Sequence, residues 1–188
     1  MVLLKTERLT LREFESSDWR AVHEYGADPE VVRYMQWGPN AEKETQDFVR
    51  RAMAHQREQP RRHYGLAVVL QAEDRLIGGC GLTVSAPEHR GGWIGYCFNR
   101  SFWGHGYATE AARVLLWLGF NRLRLHRVFA TCDPVNAASA RVLEKVGMRR
   151  EGHLVEHEWQ KKRWRDSYLY AILEREWNLT SAQAPSSA

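Results

Sequence analysis

Asn99-Arg100-Ser101-Phe102-Trp103-Gly104-His105-Gly106-Tyr107-Ala108-Thr109-Glu110 joins an apolar, strand-like run to an amphipathic helix. Its two glycines, one residue apart, allow a tight backbone turn and leave no side chain in the path of a ligand. The amides of Gly104 through Ala108 then point together. The helix that follows adds unpaired N–H groups and the positive end of its macrodipole, so a phosphate is the natural guest. The spacing does not fit the commoner glycine loops. A dinucleotide fingerprint wants a third small residue where Thr109 stands, and a Walker loop wants Gly-Lys-Ser/Thr. Taken alone, Gly-His-Gly also reads as a plain strand-to-helix turn, and the rest of the chain has to decide.

Outward from this stretch, residues 93–98 form the strand that feeds it. Residues 107–120 form the helix after it, with Ala108, Ala111, Ala112, Leu115, Leu116 and Leu118 on the buried side. A second strand at 126–132 ends in Asp133-Pro134. Asn136 is then placed to cap a helix whose Ala140, Leu143 and Val146 face the core, and Gly147 supplies its left-handed stop. Two last strands, 154–160 and 165–173, flank the polar turn Lys161-Lys162-Arg163. On the N-terminal side, Leu9, Leu11 and Phe14 alternate with polar residues as a first strand, and Ser16-Ser17-Asp18 caps a helix reaching about Tyr25. A short helix is expected over 28–35 and a longer one over 41–57. A hairpin is expected from 64–70 and 75–84, with a bulge or close neighbour near Gly78-Gly79-Cys80-Gly81. The order of elements predicts a mixed α/β sheet of about seven strands with helices on both faces, in a single domain over 1–177. The small, polar tail 178–188 is expected to be disordered.

At 188 residues with 44% apolar content and eight tryptophans, the chain can bury a substantial core without staples. Three scattered cysteines, Cys80, Cys97 and Cys132, suggest buried thiols rather than a disulfide framework or a zinc site. The charged N-terminus lacks a signal-peptide core, and no apolar run nears the roughly 20 residues that span a bilayer. A cytoplasmic protein with no membrane partner is therefore expected. The net charge of +4 is compatible with an acidic ligand but too mild to call for nucleic acid.

Two segments together resemble the GCN5-related N-acetyltransferase (GNAT) superfamily, in its RimJ/RimL-like branch. The first is Ile94-Gly95-Tyr96 through Phe102-Trp103-Gly104-His105-Gly106-Tyr107-Ala108-Thr109-Glu110, and the second is Asn136-Ala-Ala-Ser139 through Glu144-Lys145-Val-Gly147-Met148. The opening Thr6-Glu7-Arg8-Leu9 and the closing Trp164-Arg165-Asp166-Ser167-Tyr168 look like the same branch. The resemblance implies a sheet in which two central parallel strands splay apart, with acetyl-coenzyme A in the resulting V. It further implies that Trp103, Gly104, His105, Gly106, Tyr107, Ala108 and Thr109 hold the cofactor's pyrophosphate. Ser101 stands where the family often has Gln or Arg.

Acetyl transfer needs a held thioester, a neutral amine, a stabilised oxyanion and a proton for the leaving thiolate. For the oxyanion the resemblance implies a backbone N–H of the 93–98 strand, at Cys97 or Phe98. Asn136 is implied at the pantetheine arm, beside its alternative as a helix cap. Ser139, three residues on, is implied as the acid that protonates the thiolate, or else is an inward-facing serine of the first turn. The strand 92–98 lacks the glutamate that many members use as base. Glu158 resembles in position a glutamate assigned to this job in the RimJ/RimL-like branch, Glu156 shares its strand parity, and a water relay is the further alternative. The acceptor pocket is implied around Tyr34, Trp37 and Trp159. No metal is expected: His153 and His157, four apart on a strand, stand roughly 13 Å apart along the backbone. The reading is an acetyl-CoA-dependent N-acetyltransferase acting on a primary amine, either a protein N-terminal α-amine, ribosomal proteins included, or a small amine such as a polyamine, aminoglycoside or amino acid. A coenzyme A-binding module without turnover is the rival. A homodimer is compatible with the chain but not legible in these residues.

Overall fold

The computed structural model describes residues 2–180 and 186–187. From the N-terminus come β1 (Leu3–Lys5), β2 (Leu9–Glu13), helix α1 (Trp19–Gly26), helix α2 (Glu42–His55), and the hairpin of β3 (His63–Leu70) and β4 (Arg75–Ala86). Then follow β5 (Gly91–Phe98), α3 (Tyr107–Trp117), β6 (Arg127–Cys132), α4 (Ala137–Lys145), the hairpin of β7 (Arg149–Gln160) and β8 (Arg163–Leu173), and α5 (Glu174–Thr180). The sheet runs β7-β8-β6-β5-β4-β3-β2-β1, with a two-residue β9 (Ser186–Ser187) on β1. All pairs are antiparallel except β5 with β6.

That parallel pair decides the architecture. It is in register only over Gly91–Trp93 and Arg127–Phe129. Past Trp93, β5 stays paired with β4 through Phe98, and β6 stays paired with β8 through Cys132. The two central strands therefore part, and a V opens towards the C-terminal ends of both.

Each face of the sheet has its own core. On one side the fully buried Ala111, Ala112, Leu115 and Leu116 of α3 and Leu143 of α4 meet Leu11, Leu66, Ile77 and Val128. On the other, Val22 and Tyr25 of α1 and Val49 and Ala52 of α2 meet Phe14, Ala67 and Val69. Apolar residues recurring every three to four positions on α3 produce its buried stripe. None of the helices among the described residues is long and apolar enough to cross a membrane.

The structure departs from the expectations at several points. A strand, β1, precedes the one read from Leu9 and Leu11; three residues are too few for alternation to register. The helix expected over 28–35 is a run of turns, since Asp28 accepts the Glu30 N–H and draws the backbone into a turn. The end of the 107–120 helix relaxes to a π-turn over Leu118–Arg122. The β3–β4 bulge lies at Ile77, beside the glycine run. Residues 178–180, expected in a disordered tail, continue α5. The rest of that expectation falls on 181–185 and 188, outside the described residues.

Candidate active site

The loop between β5 and α3 is built as a donor cradle. Gly104 and Gly106 both take left-handed backbone conformations, at φ 80° and 83°, which an L side chain occupies only at a cost. A Cβ on Gly104 would meet nothing within 4 Å, so the loop is open on that side. The first helical hydrogen bond runs from the Glu110 N–H to the Gly106 carbonyl. Among the described residues, none of the N–H groups from Gly104 to Thr109 donates within the chain. Six backbone donors at a helix N-terminus suit a pyrophosphate, whose oxygens accept from several donors at once.

The cradle is braced from the far end of the sequence. Arg8 grips Glu110 of the first turn through Nε (2.8 Å) and Nη2 (2.5 Å), and its Nη1 donates to the His105 carbonyl (3.0 Å). The guanidinium also lies over the Tyr107 ring, 4.7 Å from its centroid. Sequence reading had no signal for this brace, because its partners stand 102 residues apart. On the other side, Trp103 Nε1 donates to the Phe98 carbonyl (2.9 Å) and ties the loop back to β5.

Ladder parity determines which β5 amides reach the V. The Asn99 N–H donates to Ile77 on β4, while the Arg90 carbonyl accepts from His126 at the start of β6. Alternation along the strand then aims the Cys97 N–H into β4 and the N–H groups of Tyr96 and Phe98 into the gap. Of the two residues expected to supply the oxyanion donor, Phe98 has the right orientation. Cys97 is turned away by one residue of parity, and its side chain packs on the α1–α2 core instead.

Across the V, the Asn136 side chain caps α4, its Oδ1 accepting the Ser139 N–H (3.1 Å). Its amide nitrogen has no partner among the described residues, so capping leaves the donor available. The Ser139 hydroxyl stands 3.0 Å from the Tyr96 hydroxyl, which also lies 3.3 Å from the Ser139 carbonyl. Burial pushes the Tyr96 phenol well above its ordinary value, with the Ser139 hydrogen bond pulling weakly the other way, so it stays protonated. Tyr96 is the residue that sequence reading missed. Its signal was a hydroxyl within the apolar strand before the glycines, on the strand parity of Ile94 and Phe98.

The last hairpin does not follow simple alternation. Leu154 pairs with Ser167 and Glu158 with Arg165, so three residues of β7 oppose one of β8. Glu156 occupies this bulge at φ 47°, its N–H donating to Asp166 (3.0 Å). The bulge corrects the parity expectation that made Glu156 and Glu158 interchangeable. Glu158 is directly opposite Arg165, accepts from Gln160, and faces His157 at 3.7 Å. Arg165 is paired with Asp133 (2.6 Å) at the end of β6, so Glu158 belongs to the V's open end. No contact joins Glu158 to Ser139 among the described residues. His153 and His157 engage Asp166 and Ser167 separately.

Trp159 packs edge-to-face on Trp164 (5.5 Å) and is 62% exposed, whereas Trp37 lies against Gly26 on the α1–α2 connection. Tyr34 sits on that same connection, under the Arg33 guanidinium. The two regions meet through Lys161, whose ammonium donates to the Val32 carbonyl (2.7 Å). The three residues expected around the acceptor are thus on two segments that touch, though their rings do not stack on one another.

Residues 8–149 match the family model of the acetyltransferase (GNAT) domain, a match that ends at the first residue of the hairpin carrying Glu158 and Trp159. An uncharacterized N-acetyltransferase of Bacillus subtilis, YnaD, is 41% identical over 175 residues, covering 93% of this chain and 99% of its own. The crystal structure of a GNAT-family acetyltransferase from Bacillus anthracis superposes with a TM-score of 0.83 at 40% identity, over 93% of this chain and 100% of that one. The spermidine N-acetyltransferase of Vibrio cholerae, solved with CoA and spermine, shares the fold at 23% identity and a TM-score of 0.79, over 92% and 99% of the two chains.

Proposed function

The chain belongs to the GNAT acetyltransferase family and is an N-acetyltransferase with acetyl-CoA as its donor, and from that premise we propose that it is of the RimJ/RimL-like branch and acetylates the α-amine of a peptide N-terminus. The row of six undonated N–H groups from Gly104 to Thr109, at the mouth of the splayed strands, carries the site assignment. These amides hold the pyrophosphate, and the free Asn136 amide meets the pantetheine arm. The Phe98 N–H faces the thioester oxygen. Ser139, its hydroxyl oriented by Tyr96, passes a proton to the departing thiolate and regains one from the solvent it partly faces, and Glu158, directly or through water, takes the proton from the amine and releases it to solvent.

Transfer is direct. Burial pushes the Cys97 thiol up to about 12 and, with help from Asp133 and Glu144, the Cys132 thiol to about 11. Raised in this way, both thiols are held protonated near neutral pH, which disfavours a cysteine as the acetyl-accepting nucleophile. Initial-rate kinetics with varied donor and acceptor are expected to give intersecting, sequential patterns that Cys97→Ala leaves unchanged. Parallel lines would exclude direct transfer.

The acceptor assignment is supported by the charges around the two acceptor segments. Asp28, Glu30 and Asp133 each face an arginine, Arg100, Arg33 and Arg165, and the hairpin tip adds Lys161, Lys162 and Arg163. A polycation would need several unmatched carboxylates together; a single α-amine needs only one base. Thiol release from acetyl-CoA with a panel of short peptides and with spermidine tests this. Higher kcat/KM for peptides is expected. Turnover of spermidine alone would overturn the acceptor, and binding without turnover of any amine would favour a coenzyme A-binding module.

A further inference from the structure

Away from the acetyl-transfer site, His55, Glu58 and His63 bring their ligand atoms within 4.8 Å of one another. His55 ends α2, His63 begins β3, and Glu58 lies in the turn between them. The carboxylate reaches both rings, with Oε2 3.2 Å from His63 Nδ1 and Oε1 3.7 Å from His55 Nε2. The two imidazoles lie nearly parallel, 4.4 Å between centroids. Through Thr83, His63 is in register with Trp93, so the group flanks the closed end of the β5–β6 pair.

We propose that His55, Glu58 and His63 form a binding site for a divalent transition-metal ion of the Zn²⁺ type, with solvent as the fourth ligand. Two imidazoles and one carboxylate are the borderline donor set that such ions select over Mg²⁺ or Ca²⁺, which want oxygen alone. Tetrahedral bonds of 2.0–2.1 Å place ligand atoms about 3.3 Å apart. The Glu58–His63 separation already has that value. The Glu58–His55 separation, measured to the other carboxylate oxygen, must close by at least about 0.4 Å, and the nearly parallel rings must tilt until both nitrogens face one ion, rotations open to side chains that are partly exposed. The nearest opposing charge, Arg61, is drawn elsewhere: its Nη1 pairs with Glu13 (2.6 Å) and its guanidinium covers the Tyr64 ring. Bound metal would clip the last turn of α2 to the first residue of β3 and hold the turn between them.

The test uses tag-free full-length protein, stripped with chelator and titrated calorimetrically with ZnCl₂. One saturable equivalent per chain is expected, with a rise in Tm that chelator reverses. Co²⁺ in the same site is expected to give the visible absorption of a tetrahedral ion. The double variant His55→Gln/His63→Gln should lose binding and the Tm rise while keeping the metal-free Tm, and Glu58→Gln should weaken binding at least tenfold. If the double variant does not fold, His55→Gln alone, at the solvent-facing end of α2, carries the comparison. Absence of saturable binding to the parent protein overturns the proposal. Undiminished binding in the His55 variants does the same, because the ion then sits elsewhere.

Discussion

At the scale of single residues, the candidate chemistry rests on one hydroxyl pair. Ser139 is partly exposed in the first turn of α4, and the partly buried Tyr96 phenol limits its rotamers from across the V. If Ser139 delivers the proton, Ser139→Ala should lower kcat by roughly 10²-fold while leaving the KM for acetyl-CoA close to that of the parent. Tyr96→Phe keeps the ring and removes only the orienting hydrogen bond. It is expected to lower kcat by about tenfold, the scale of one hydrogen bond. Steady-state kinetics of both variants and their combination checks this, and a double variant no worse than Ser139→Ala is the signature of Tyr96 acting through Ser139.

At the scale of elements, the candidate cradle lies where a strand, a glycine turn and a helix N-terminus meet at one point, and Arg8 braces the turn. Gly104→Ala adds a methyl that meets nothing within 4 Å, so its cost is the left-handed dihedral alone. That cost is about 1 kcal/mol, and it should appear as a roughly fivefold higher KM for acetyl-CoA with kcat little changed. Arg8→Ala should act on the same constant by freeing Glu110 and the His105 carbonyl. The β7 bulge is the second decisive element. The Glu156 N–H and His153 hold the Asp166 carboxyl below its ordinary range. Because that folded-state value is lowered, the contribution of Asp166 to holding the bulge is complete above the ordinary carboxylate pKa and fades as pH falls through the lowered one. The Tm difference between the parent and Asp166→Asn should therefore shrink as pH falls below 5 towards 3.

At the scale of the whole molecule, the last hairpin meets the α1–α2 connection, where Lys161 donates to the Val32 carbonyl. Lys161→Met removes that tie without touching the cradle. It should raise the acceptor KM severalfold and leave the acetyl-CoA KM alone, which isothermal titration with each substrate can separate. Local patterns in the chain determined much by themselves. Alternation and glycines set the strands and turns, the 3.6-residue stripe set α3, and the Gly104–Gly106 loop with the Asn136–Gly147 segment marked the family. These are properties of neighbours along the backbone, where spacing and dihedral preference are legible in the order of residues. What only the tertiary structure decided depends on partners distant in sequence: the grip of Arg8 on Glu110, the Tyr96–Ser139 pair, the opposite directions of the Phe98 and Cys97 N–H groups set by ladder register, and the bulge that separates Glu156 from Glu158. Register is set by how whole strands pack, and a one-residue shift reverses which groups face the site; no local pattern encodes it.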